Sequence, residues 1–123
     1  MLYTASFYDP QHWKGLRYRV SRAHPRGLRV QWDTAPFLYP ARELLRSYRE
    51  GTLDFADLTR DYRLALDGAY EELDQFREWI STLPSLGNVT LLCFERGEQL
   101  CHRRVAAHWL LERVSDLGCG ELH

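Results

Sequence analysis

One short run constrains this chain most. Val89-Thr90-Leu91-Leu92-Cys93-Phe94 reads as a continuous apolar segment of strand length, set between polar turns. Such a run fits a central strand covered on both faces better than an edge strand. A polar loop follows at 95–100. A helix then starts near Cys101, with Val105, Ala106, Trp109, Leu110 and Val114 on its inward face. A buried strand, a loop and a helix in that order are the clearest α/β signal in the sequence.

The rest of the chain fits around that unit. Leu2-Tyr3-Thr4-Ala5-Ser6-Phe7 reads as a first strand stopped by Asp9-Pro10. Leu16, Tyr18 and Val20 alternate with Arg17, Arg19 and Ser21, a strand with one apolar and one basic face. Leu28, Val30 and Trp32 alternate again with Arg29 and Gln31. This piece is either the return arm of a hairpin or an extended loop, and periodicity does not choose.

Helical spacing begins at Ala41, with Leu44, Leu45 and Tyr48 on one face and Gly51 as a stop. Asp54 suits the N-cap of a second helix whose face is Phe55, Leu58, Tyr62 and Leu66. Asp67-Gly68 is expected to separate it from a third, with Tyr70, Leu73, Phe76, Ile80 and Leu83 inward. Gly118 and Gly120 end the last helix and leave a tail, 118–123, expected to be mobile. At 123 residues the chain has room for one core, so 1–123 is read as a single domain. The expected fold is α/β: a small single-domain sandwich with a central, mainly parallel sheet flanked by helices.

Charge is informative through its placement. The 16 basic and 17 acidic residues leave a net −1, which argues against a dedicated polyanion binder. Yet Lys14, Arg17, Arg19, Arg22, Arg26 and Arg29 form a block with no acid inside it. Residues 43–78 hold ten acids against Arg46, Arg49, Arg60, Arg63 and Arg77. The clustered guanidinium groups need negative charge among them. Either the acidic helices supply it, or a bound phosphate, nucleotide or nucleic acid does. Trp13, Tyr18, Trp32, Phe37 and Tyr39 interleave with the block, as core aromatics or as a stacking surface for single strands.

No run approaches the roughly 20 apolar residues of a membrane helix. The start, Met1-Leu2-Tyr3-Thr4, lacks the pattern of a secretory signal. With three cysteines, an odd number, this predicts reduced thiols in the cytoplasm. Cys93 reads as a buried small hydrophobe and Cys119, between glycines, as mobile. Cys101 stands in the loaded setting, beside His102, Arg103 and Arg104 at a helix N-terminus, where a thiolate is favoured. The competing reading is a helix cap with surface charges. Cys93, Cys101, His102, Cys119 and His123 lack the paired spacing of zinc sites, so no metal or other cofactor is expected. Glycine-rich nucleotide loops, G-x-S-x-G and H-E-x-x-H are all missing. The phosphatase pattern of Cys with Arg six residues on is missing too, since Gln99 and Ala107 stand there.

Three segments carry a family resemblance. Tyr18-Arg19-Val20-Ser21-Arg22-Ala23-His24-Pro25-Arg26-Gly27 is similar to a segment of the YeaO-like proteins, grouped as domain of unknown function 488. Trp32, Pro40-Ala41-Arg42-Glu43-Leu44, Asp54-Phe55 and Tyr62 resemble the middle of that family. Leu91-Leu92-Cys93-Phe94-Glu95 with Cys101-His102-Arg103 resembles its Cys-x-Glu…Cys-His-Arg signature. The resemblance spans about 3–111. It implies a small cytoplasmic bacterial α/β domain and no particular activity. Its signature positions here are Arg22, Pro25, Arg26, Cys93, Glu95, Cys101, His102 and Arg103.

These readings place an anion site at the carboxyl end of the last central strand. Arg19, Arg22, Arg26 and Arg103 are the expected ligand holders, with Cys101, His102 and Glu95 the candidates for chemistry. The expected ligand is a small anion, a nucleotide or a nucleic acid. One alternative is a non-enzymatic interaction module whose basic strand meets an acidic helix, a dimer being one form of it. Another is a thiol-dependent redox or metal protein.

Overall fold

The computed structural model describes residues 1–96 and 100–123. The middle of the expected 95–100 loop, Gly97 included, lies outside the described residues, as does Gln99 of the phosphatase comparison. Five strands form one sheet: β1 (Leu2–Ser6), β2 (Leu16–Arg19), β3 (Asp33–Thr34), β4 (Val89–Cys93) and β5 (Cys119–Leu122). Their order is β3-β2-β4-β1-β5 and every neighbouring pair is parallel. Four α-helices accompany them among the described residues: α1 (Arg42–Arg49), α2 (Phe55–Glu72), α3 (Asp74–Thr82) and α4 (His102–Arg113). The fold is α/β.

The apolar run is the middle strand, β4, and all five of its residues are buried. Alternate side chains serve two cores. Val89, Leu91 and Cys93 join Leu2, Val20, Tyr62 and Leu66 of α2, Phe76 and Ile80 of α3, and the buried apolar residues of α4. Leu92 turns the other way, to Ala5, Phe7 and Trp32, with Trp13 and Phe94 packed against them. One face is thus roofed by helices. The other is roofed by indoles from the connections around β2. Burying each Leu or Phe stabilises the fold by about 1.5–3 kcal/mol.

Three expectations change. The 28–32 segment is no strand and no hairpin arm. Only Trp32 of it is buried, and β3 follows at Asp33, parallel to β2. The helix expected to stop at Asp67-Gly68 runs on to Glu72. An interior Gly costs about 1 kcal/mol relative to Ala. Asp67 accepts the Trp109 indole N–H at 2.9 Å and pairs with Arg113, which ties this part of α2 to α4. The expected tail is strand β5, held beside β1. A side chain on Gly120 would lie 2.4 Å from the Tyr3 ring. The glycine there makes room for close approach rather than for movement.

Four of the five aromatics interleaved with the basic block, Trp13, Tyr18, Trp32 and Phe37, pack on the two cores, while Tyr39 lies beneath Arg19 and Arg22. Tyr18 sits edge-on to Trp79 at 5.4 Å, Phe37 stacks on Phe76 at 5.0 Å, and Trp32 packs on Phe7 at 4.8 Å.

Candidate functional site

The chain leaves β2 outward toward β3, and leaves β4 in the opposite direction, through α4 and across β1 to β5. Adjacent parallel strands whose connections part in this way open a crevice at their carboxyl ends. A cavity of about 380 Å³ lies there. Ser21, Arg22 and Ala23 line it from the end of β2, and Cys93, Phe94 and Glu95 from the end of β4. Arg42, Leu45 and Arg49 line it from α1, and His102 from the first residue of α4.

The rim is cationic and exposed. Arg42 and Arg49 share one side of α1 with Leu45, at spacings of three and four residues. Arg22 donates its Nε–H to Pro40 O at 3.2 Å and lies over the Tyr39 ring. Among the described residues, ion pairs join Arg60 to Asp57 and Asp61, Arg63 to Glu112, Arg77 to Asp74, Arg96 to Asp9, and Arg113 to Asp67. None of these reaches the basic block, Arg42 or Arg49. Asp57, Asp61, Asp67 and Asp74 of α2 and α3 pair instead with arginines of the helices themselves, while Glu71, Glu72 and Glu78 stand exposed. The internal neutralisation that the charge map allowed is therefore not formed among the described residues.

The floor is buried. Cys93, Cys101, His102 and Arg103 are 0%, 3%, 6% and 0% exposed. His102 Nε2 lies 2.8 Å from Val20 O. A carbonyl only accepts, so Nε2 carries the proton and Nδ1 keeps a free lone pair. Burial pushes the imidazole below its ordinary range, which favours this neutral form. Nδ1 faces Cys101 Sγ at 3.9 Å. Arg103 Nη1 donates to Cys93 Sγ at 3.2 Å, and its Nε–H to His123 O at 2.6 Å. Its Nη2 has no hydrogen-bond partner among the described residues. Burial lowers this guanidinium to about 10, so it stays charged at neutral pH. Glu95 Oε2 stands 3.2 Å from Cys93 Sγ on a less buried side.

The structure joins Cys93 and Cys101 as a disulfide, with the sulfurs 2.17 Å apart, and leaves Cys119 free and exposed. This corrects the expectation of three reduced thiols. Two buried cysteines meet where the end of β4 faces the N-cap of α4.

The expected site residues are only partly gathered. Arg22, Glu95 and His102 share the cavity with Cys93. Cys101 does not line it and borders a second hollow with Phe55, Thr59 and His108. Arg26 is exposed and outside the lining. Arg19 donates to the Tyr39 hydroxyl at 3.1 Å. Arg103 lies behind Cys93, inside the core. Arg42 and Arg49 were not expected; their seven-residue separation on one helix was the available signal.

No curated protein and no solved structure matches the chain. A family model described as DUF488-N3a, the active DUF488-N3 subclade, matches residues 2–114. That span takes in all three segments of the resemblance and every residue of the cavity, and the chain belongs to the DUF488 family.

Proposed function

We propose that the cavity binds a ligand through a phosphate or a similar anionic group. The observation that carries this is the convergence of Arg22, Arg42 and Arg49 on one crevice, with no ion pair to any of them among the described residues. Guanidinium groups match phosphate oxygens two at a time. The position, at the parting of two strand connections, is where α/β sheets hold their ligands. Glu95, neutral His102 and Cys93 border the bound group and are the residues available for chemistry. The word "active" in the description of the matching subclade is in keeping with chemistry at this floor.

The interaction-module alternative has less support. It needs an acidic helix surface open to a basic partner, and with Asp57, Asp61, Asp67, Asp74 and Glu112 paired within the molecule that surface is reduced on α2 and α3 to the exposed Glu71, Glu72 and Glu78.

Calorimetric titration with inorganic pyrophosphate at low salt tests the anion reading. Arg22→Ala, Arg42→Ala and Arg49→Ala should each weaken binding by roughly 10–100-fold, the worth of one charged hydrogen bond. Arg26→Ala should leave it within about threefold. Equal losses in all four variants, or no binding to the wild-type chain, would remove the reading.

A further inference from the structure

We propose that Cys93 and Cys101, when reduced, hold a divalent zinc-class ion together with His102 Nδ1. This gives the anion cavity's floor its chemistry, and it rests on the anion reading only for what occupies the ion's open position. Four observations converge on it.

The first is position. One donor atom from each of the three residues lies within 4.8 Å of the other two, and all three residues are buried. Tetrahedral zinc with sulfur at about 2.3 Å and nitrogen at about 2.0–2.1 Å places its donors roughly 3.5 Å apart. Small side-chain rotations bring the trio to that spacing. The second is the imidazole. A metal-bound histidine characteristically donates its other ring N–H to a carbonyl or carboxylate, which fixes the tautomer. His102 does this through Nε2 to Val20 O, which leaves Nδ1 as the ligand atom.

The third is backbone spacing. The Cα atoms of Cys93 and Cys101 stand 7.7 Å apart, beyond the usual disulfide span of about 4.4–6.8 Å. That distance suits two sulfurs opened around a shared ion. The fourth is charge. A divalent ion with two thiolates is neutral, and the remaining Glu95 carboxylate and Arg103 guanidinium then balance each other. Without a cation, a reduced Cys93 keeps its proton and donates the S–H to the Glu95 carboxylate 3.2 Å away. Arg103 Nη1–H, directed at the Cys93 sulfur, is the kind of outer contact that tunes a metal thiolate.

Three protein donors leave a fourth position open. Cys93 and His102 both line the cavity, so that position faces the ligand held by the arginine rim. Pairwise sequence spacing did not reveal this set because its donors come from two elements, the end of β4 and the start of α4.

The test uses the full chain, reduced with a phosphine and exchanged without oxygen. All three thiols should titrate. Added Co²⁺ should then give a saturable spectrum at one equivalent, with a sulfur-to-cobalt charge-transfer band and strong visible bands, displaced by Zn²⁺. Cys119→Ser should keep this spectrum. Cys93→Ser should lose the charge-transfer intensity, and His102→Gln should shift or weaken the visible bands, each variant being checked for folding by circular dichroism. Cys101→Ser serves if Cys93→Ser does not fold. Arg22→Ala and Arg49→Ala should keep the cobalt spectrum while losing pyrophosphate, so the two readings fail separately. The proposal is overturned if the reduced, folded chain gives no saturable spectrum, if only one thiol titrates after reduction, or if the spectrum survives loss of either buried cysteine.

Discussion

The floor and the rim of the cavity use the same residue type in opposite ways. Arg103 is fully buried, its guanidinium fixed between His123 O and the Cys93 sulfur. Arg22, Arg42 and Arg49 stand exposed at the mouth, without carboxylate partners among the described residues. A buried charge must be satisfied by its surroundings and becomes part of the fold. An exposed charge costs little to keep and remains available to a ligand. The contrast separates substitutions that damage stability from those that damage binding.

The largest expected effect breaks the floor. Arg103→Ala removes two hydrogen bonds and leaves a void, and should lower unfolding free energy by about 2–4 kcal/mol in urea titrations. A loss below about 0.5 kcal/mol would mean that Arg103 is no part of the core. The rim should behave oppositely. Arg22→Ala or Arg49→Ala should move stability by less than about 0.5 kcal/mol, as surface substitutions do. The same variants should lose pyrophosphate affinity as described above. If they unfold the chain instead, the distinction between floor and rim disappears.

A smaller effect lies beside the cavity, where Asp9 and Arg96 join the ends of β1 and β4 at 2.7 Å. The Arg96 hydrogen bond holds the Asp9 carboxyl below its ordinary value of 3.8. The folded state therefore binds fewer protons than the unfolded state in the acid range. The resulting stability is present above about pH 3.8 and is lost as pH falls through the lower, folded value. Asp9→Asn should flatten the stability-against-pH curve in that acid window and leave its shape near neutrality unchanged. A curve that keeps its acid slope in Asp9→Asn would assign the slope to other carboxylates.

How much could be read from the sequence follows the same division. β4 was legible because every one of its side chains is buried, whichever face it points to. The parallel sheet followed from the strand–loop–helix unit. Glycines were the main source of error. Gly68 and Gly120 read as breaks, yet one sits inside α2 and the other lets β5 approach Tyr3. A glycine in sequence does not say whether it supplies freedom or space.

At the site, Arg22, Glu95 and His102 came through the family signature. Cys93 is a signature position too; its apolar neighbours mark it as a buried small hydrophobe, which it is, and only the fold shows that it also lines the cavity floor. Arg103 looked like a surface anion holder because nothing local distinguishes a buried arginine from an exposed one. Arg42 and Arg49 lie off the apolar face of Leu44, Leu45 and Tyr48, and nothing in the sequence says what they face. Only the folding of α1 over the end of β2 turns them into a rim.

The most direct test of the cavity as an anion site is an amide NMR titration of the full chain with inorganic pyrophosphate. The expected shifts concentrate at Ser21, Arg22 and Ala23, along α1 from Arg42 to Arg49, and at Glu95 and His102. Shifts centred on Lys14, Arg17, Arg26 and Arg29 would contradict it, because they would mark a diffuse basic surface in place of the cavity.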